Sequence, residues 1–573
     1  MPTVVHVTHE AVHQAGGIGT VLRGMITARS YLERVERTIL LGPLMDADSL
    51  EPLGPDGEVF YDSAGGISTA DEGSALGLLA AQFGVRVVYG RRQLRGESGE
   101  AWPEVLLVDV SNPPVGLDSF KYHLSGSIGL DSRRYETDWE YEQYLRLAEP
   151  GFEGIRALLG ESVDPVWLIA HEFMGLGTVF KSMMVGDARF KTVFYAHEVA
   201  TARLLVEGNP GRDVMFYNVL RLARARGGYV EDYFGPQGSF FKHALIRQAW
   251  RCDAVLAVGD RVVEELRFLG AEFADREIDL VYNGVPAAEI DTAEREVSRR
   301  KLQEYAGRLL GEEPDLIFTH VTRLVRSKGL WRDLLVLEHL DRLLAEEGRQ
   351  ATFLVLATEV GRREPSAVQG MVDAYGWPLV HREGFPDLSS GELAFDLRVR
   401  AFNARARSIR AVFVNQFGWD VASCGSTMPE NMGFADLRQG SDVEFGQSIY
   451  EPFGIALVEP LAFGAVCVVS DVCGCLGFVA RSAGNELPAG LVRGDYTRLQ
   501  EELEIEEALE IGAEICQRAE VEESQRVATA LGGRLPADEK QRQAALKRGL
   551  AVAQGMSWEC VVTDYFLPAM ERM

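Results

Sequence analysis

Two glutamates, Glu451 and Glu459, stand eight positions apart in "SIYEPFGIALVEPLAFGAVCVVSD" at residues 448–471. The stretch is otherwise apolar, so each carboxylate sits where burial is costly without a partner. A Pro-Phe-Gly turn follows Glu451. A helix beginning near Gly454 would aim the N–H groups of Ile455 and Ala456 at an anion and carry Glu459 about one turn further. One carboxylate can then bind sugar hydroxyls and the other a ribose. Upstream, "HVTRLVRSKG" at 320–329 puts Arg323 and Lys328 after an apolar strand and before a helix. Ligands of open α/β sheets gather at the carboxyl ends of the strands, where two cations can neutralise a diphosphate. Solvated helix-start residues would read the same way. Near the start, Gly16, Gly17 and Gly19 of "AGGIGTVLRGM" let a backbone turn approach a ligand, with a helix N-terminus favouring an anion. A tight strand-to-helix turn is the alternative.

These groups need a scaffold, and the chain has the pattern of one. Short apolar runs at 4–8, 38–41, 85–89, 105–110, 166–170, 192–195, 254–258 and 278–282 read as strands buried on both faces of a parallel sheet. A second series runs through 316–322, 352–357, 378–381, 411–415 and 466–470, with amphipathic segments such as 331–344 between its members. Residues 388–447 and 497–543 interrupt it. The turn signal in "VYNGVP" places the join near 283–286, so the expected domains are 1–285, 286–550 and a terminal helix at 551–573. In that helix Trp558, Val562 and Tyr565 share one face.

A length of 573 residues exceeds the roughly 250 to 300 at which chains divide into domains. With 46% hydrophobic and 25% charged residues the chain has the balance of a folded protein. A net charge of -27 repels nucleic acid and anionic membrane, so neither is an expected partner. Seven cysteines, an odd number, fit a reducing compartment. The opening "MPTVVHVTHE" reads as a buried strand rather than a leader, no apolar run reaches the roughly 18 residues of a membrane span, and the cytoplasm is the expected location.

The glycine loop, the Arg/Lys pair and the two glutamates occur in the order seen in retaining glycosyltransferases of the glycogen and starch synthase superfamily, which the chain resembles. "HEAVHQAGGIGTVLRGM", "AHEFMGLG", "FYAHEVATARLLVEGN", "VMFYN" and the ending "MSWECVVTDYF" are similar to landmarks of the animal and fungal glycogen synthases. The resemblance implies the GT-B fold, two Rossmann-like α/β domains facing a cleft, with the last helix crossing back to the first. It implies Gly17 and Gly19 beside the donor phosphates, Arg323 and Lys328 on the departing diphosphate, and Gly454, Ile455 and Ala456 around the donor. By the same resemblance Glu451 meets the donor sugar, Glu459 the ribose, His197 the anomeric carbon, and His171 with Glu172 the acceptor side. Two positions depart from the pattern. Gln14 stands where the family has a lysine, with Arg23 a candidate substitute, and Ala456 replaces a hydroxyl residue.

The other histidines near strand ends, His6 and His9, read as buried and hydrogen-bonded. Arg398, Arg400, Arg405, Arg407 and Arg410 read as a salt-bridged or solvated helix. The expected activity is glucosyl transfer from UDP-glucose or ADP-glucose to an α-glucan with retention, without a metal or cofactor, in a chain for which homo-oligomers are open. Transfer to another acceptor, a non-catalytic glucan-binding role and sugar-nucleotide epimerisation are the alternatives.

Overall fold

The computed structural model describes residues 1–12, 16–47, 49–499 and 503–573. Gln14 lies outside the described residues. The chain forms two compact units, one of Met1–Ala202, Arg224–Gly284 and Trp558–Met573, the other of Arg203–Ala223 and Val285–Ser557.

In the main sheet of the first unit the strands are β1 Thr3–Val7, β2 Arg37–Leu44, β3 Gly57–Asp62, β4 Ile67–Ser68, β5 Val87–Arg92, β6 Glu104–Asp109, β7 Val166–His171, β8 Phe190–Ala196, β9 Ala254–Ala257 and β10 Asp279–Leu280. They lie in the order β10-β9-β8-β7-β1-β2-β6-β5-β3-β4. Each of the eight apolar runs expected in this half forms a strand. The runs are Val- and Leu-rich because β1 and β7 are buried along their whole length. β3 and β4, which the apolar pattern does not announce, pair antiparallel at the edge, where one side of a strand stays wet. Strand β1 pairs in parallel with β2 on one side and β7 on the other. The strand order therefore reverses at β1, and the loops after β1 and β7 open at a switch point, the usual place for a ligand in such sheets.

The last segment belongs to this unit. Trp558 and Val562 are buried and Tyr565 is half-buried, its ring edge-on to Tyr282 with centroids 5.3 Å apart. The Trp558 indole lies on two glycines. A Cβ on Gly24 would stand 2.0 Å from its Nε1, and one on Gly284 would stand 2.4 Å from its Cδ2. Gly24→Ala is therefore expected to lower stability by about 1–3 kcal/mol, the usual cost of overpacking a fitted core, read as a fall in the denaturation midpoint. A midpoint equal to that of the parent protein would show that the indole is not held there.

In the second unit the strands are β11 Leu316–Arg323, β12 Ala351–Thr358, β13 Ile409–Val414, β14 Val443–Gly446, β15 Val466–Ser470 and β16 Leu491–Gly494, in the order β13-β12-β11-β14-β15-β16. All their pairings are parallel. Alternate residues face opposite layers. Leu316, Phe318, Phe353, Val355 and Phe413 enter one core, and Ile317, Leu354, Leu356, Val412 and Val414 the other. Here the switch point lies between β11 and β14.

Two expectations differ from this sheet. Residues 378–381 form no strand: they lie in turn and coil, with Leu379 and Val380 exposed, and Pro378 has no N–H to give a ladder. Strand β14, inside the supposed interruption 388–447, is short and carries Glu444 at its centre, so no apolar run marks it. Residues 203–223 join this unit through Asp213, whose carboxylate takes both bonds from Arg332 Nη2 at 2.8 Å.

Candidate functional site

Lys328 and Glu451 come from the loops that follow β11 and β14, the two strands flanking the switch point. Backbone bonds lace the loops together. The Ser327 carbonyl accepts from the N–H of Ile449 at 2.7 Å and of Tyr450 at 3.2 Å. Gly329, at φ 61°, allows the approach, because a Cβ there would stand 2.4 Å from the Gln447 carbonyl oxygen. The result is an ion pair with Lys328 Nζ 2.5 Å from Glu451 Oε2, the side chains 15% and 10% exposed. Below it, Gln447 donates to Asp333 at 2.9 Å and accepts from the Tyr496 hydroxyl, while Asp333 holds His320 at 2.6 Å. Arg323 ends β11 exposed, and its guanidinium has no partner among the described residues.

Gly454 takes the left-handed conformation at φ 92°, and a Cβ on it would crowd Leu457 and the Glu451 stem at 2.8 and 2.9 Å. The helix it opens, Ile455–Val458, has four residues, and Pro460 turns the chain into the tighter helix Glu459–Phe463. Ile455 and Ala456 stand in its first turn, half-exposed, where amides have no intrahelical acceptor. Glu459 begins the second helix, about one turn beyond. Its Oε2 accepts from Arg438 Nε at 3.0 Å, and the same guanidinium reaches the Ala456 carbonyl and, at 3.1 Å, Glu444. Glu444 in turn accepts from the Val321 amide at 3.0 Å and the Thr319 hydroxyl at 2.5 Å. Arg438, 2% exposed, is the part that sequence reasoning missed, since it lies in 388–447, read only as an interruption of the strand series.

In the first unit the loop after β1 leads to the helix Ile18–Ile26, with Gly17 at its N-cap. The Gly19 amide, expected beside a phosphate, instead donates to Glu10 Oε2 at 2.7 Å. A carboxylate thus holds the place in which an anion was expected, for the same reason: an amide of the first turn needs an acceptor. Arg23 lies in the last turn of this helix.

His171 ends β7 and Glu172 opens the helix Glu172–Val185 at φ 61°, a strained value for a residue with a side chain. His171 is fully buried and Glu172 is 4% exposed. They were expected to line the acceptor side. In the structure both hold His197: Glu172 Oε1 accepts from the amides of His197 and, at 2.6 Å, Glu198, and His171 Nδ1 lies 2.8 Å from His197 Nε2. Only His197 of the three keeps an exposed edge, and burial still lowers its pKa to about 3.

The arginines at 398–410 spread out. Arg400 pairs with Asp396 at 2.6 Å and Arg405 with Glu338 at 2.6 Å, with Arg398, Arg400, Arg405, Arg407 and Arg410 all exposed. Among the described residues, no group of three or more His, Cys, Asp or Glu side chains is placed to hold a metal ion, and no helix is long and apolar enough to cross a membrane.

No family model and no curated protein matches the chain. Solved structures match its fold along the full length. One, described as trehalose-6-phosphate from E. coli bound with UDP-2-fluoro glucose, is 12% identical with a TM-score of 0.52, over 100% of this chain and 99% of that one. An alpha,alpha-trehalose-phosphate synthase (UDP-forming) from Burkholderia vietnamiensis is 14% identical with a TM-score of 0.51, over 100% of both chains. The alpha,alpha-trehalose 6-phosphate synthase of Burkholderia multivorans is 13% identical with a TM-score of 0.51, over 100% and 96%. The class defined is that of the GT-B fold, two Rossmann-like α/β domains in one chain. The likeness at these identities is one of fold.

Proposed function

We propose that this protein is a retaining glycosyltransferase that takes a glucosyl unit from a nucleoside-diphosphate glucose. The observation that carries the reading is the Lys328 and Glu451 pair at the β11/β14 switch point, a cation and a carboxylate that chain order leaves 123 positions apart. Arg323 and Lys328 take up the charge that grows on the leaving diphosphate, helped by the Ile455 and Ala456 amides beside Gly454. Those cations supply the neutralisation for which other enzymes use a divalent ion, so the reading is metal-independent and needs no cofactor. Glu451 accepts from hydroxyls of the transferred sugar. Glu459, oriented by Arg438, accepts from the ribose. In the first unit His197 is the polar edge offered to a sugar, and Gly17 with Gly19 reaches a phosphate only if Glu10 yields its place.

Two acceptors fit, each favoured by a specific observation. The sequence landmarks shared with glycogen synthases favour an α-glucan. The full-length fold likeness to proteins described as UDP-forming trehalose-phosphate synthases favours a hexose phosphate. Release of UDP or ADP from the corresponding glucose donor, measured with glycogen or glucose 6-phosphate added in turn, separates them. Release dependent on one acceptor names it. Absence of release with either donor and either acceptor would overturn the glucosyltransferase reading. The reading places the protein in the cytoplasm, with no nucleic acid or membrane partner.

A further inference from the structure

Behind His197 runs a continuous line of hydrogen-bonding groups. His197 Nε2 lies 2.8 Å from His171 Nδ1, and His171 Nε2 lies 2.8 Å from His6 Nδ1. His6 Nε2 lies 3.1 Å from the Tyr31 hydroxyl, which lies 3.2 Å from Thr38 Oγ1. His6, Tyr31 and His171 are fully buried. Burial lowers the pKa of His6 to about 3, and that of His171 lies well below its ordinary value for the same reason, so the rings are neutral near pH 7.

A neutral imidazole has one N–H and one lone pair, and each nitrogen-to-nitrogen contact needs one of each. The line therefore has two self-consistent proton arrangements, and the three rings must choose together. In one, every ring donates toward His197, which keeps its own proton on Nδ1. In the other, every ring donates toward Tyr31, and His197 Nδ1 is a bare lone pair. The Tyr31 end makes the choice. A phenol is a stronger acid than a neutral imidazole N–H, and an imidazole nitrogen is a better acceptor than a phenol oxygen, so the hydroxyl donates to His6. Thr38, half-exposed on β2, can supply the bond that the Tyr31 oxygen accepts.

We propose that Tyr31, His6 and His171 are positioning residues that hold His197 as its Nδ1–H tautomer, so that the nitrogen left to meet a ligand is a hydrogen-bond donor, suited to a sugar oxygen. The tautomer follows from the line itself; only the sugar rests on the function proposed above. A donor at this place can hold and polarise an oxygen, but it cannot act as a base. This is the chemistry expected where the leaving group, not a nucleophile's proton, carries the reaction.

The test is histidine ¹⁵N NMR on the full-length protein, with the His197 signals assigned by their loss in His197→Gln. The expected result is a protonated Nδ1 and an unprotonated Nε2 for His197. Tyr31→Phe, which keeps the ring stacked on Phe566 with centroids 6.0 Å apart, removes the group that polarises the line. It should yield mixed tautomers at His197 and a kcat lower by about tenfold, with donor KM within about twofold. Thr38→Val should leave the His197 tautomer as it is. An unprotonated Nδ1 in the parent protein, or a pure Nδ1–H signal retained in Tyr31→Phe, would overturn the inference. A protonated Nδ1 in a protein that releases no nucleotide would uphold the tautomer and refute the transferase.

Discussion

Lys328→Ala should reduce the rate of nucleoside diphosphate release about 100- to 1000-fold, with the far-ultraviolet circular dichroism of the parent retained. The expectation rests on where the ammonium stands. It projects from the loop after β11 against Glu451, and by the proposed reading the negative charge of a departing diphosphate would develop there. Removing a preorganised cation from a part-enclosed site removes stabilisation that grows only in the transition state, so the loss should fall on kcat and kcat/KM together. Glu451→Gln keeps the shape of the partner while removing its charge, and should likewise cripple turnover. Because the two side chains act as a pair, the double variant Lys328→Ala with Glu451→Ala should cost no more than the worse single one. Turnover within about threefold of the parent in either single variant would refute the role given to the pair.

The second large effect is on stability. Arg332 is fully buried, and its guanidinium bonds both oxygens of Asp213 at 2.8 Å, Glu520 at 2.9 Å, and lies over the Tyr496 ring at 4.1 Å from its centroid. Burial disfavours every charge in this cluster and raises the pKa of Asp213 even against the pull of Arg332. Arg332→Met keeps volume but strands the Asp213 carboxylate, while Glu520 retains Arg212 at 3.2 Å and the Trp331 indole at 3.0 Å; it should destabilise the second unit by about 3–5 kcal/mol, the usual cost of breaking a buried pair from one side. The measurement is the denaturant midpoint of that unit. The loss should shrink as pH falls, because an unpaired Asp213 with a raised pKa escapes its cost by taking a proton. A shift below about 1 kcal/mol would show that the cluster does not hold residues 203–223 in place.

Much of the fold was legible because parallel strands buried on both faces must be apolar throughout. All eight runs read in the first half are strands, and four of the five read in the second half overlap one. The failures share a cause, which is that polar or imino groups decided them. Residues 378–381 look apolar, but Pro378 cannot join a ladder. Strand β14 looks polar, but Glu444 is neutralised there by Arg438 and bonded to Thr319. A one-dimensional pattern records hydrophobicity, not whether a charge has found its partner.

The sequence by itself determined the kinds of chemistry available: a glycine loop, the Arg323 and Lys328 cations, Glu451, Glu459 and His197, most of them at or just beyond the end of a strand where an open sheet leaves room for a ligand. The glycines, cations and glutamates are local matters of residue type and spacing, whereas the part given to His197 came from the family resemblance. Only the tertiary structure decided what each group faces. It paired Lys328 with Glu451, put Glu10 on the Gly19 amide, locked Glu459 to Arg438, drew residues 203–223 into the second unit and set His171 and His6 in line behind His197. Apart from Glu10 and Gly19, nine positions apart, those outcomes depend on contacts between segments tens to hundreds of residues apart, made when burial leads charges and imidazoles to find partners.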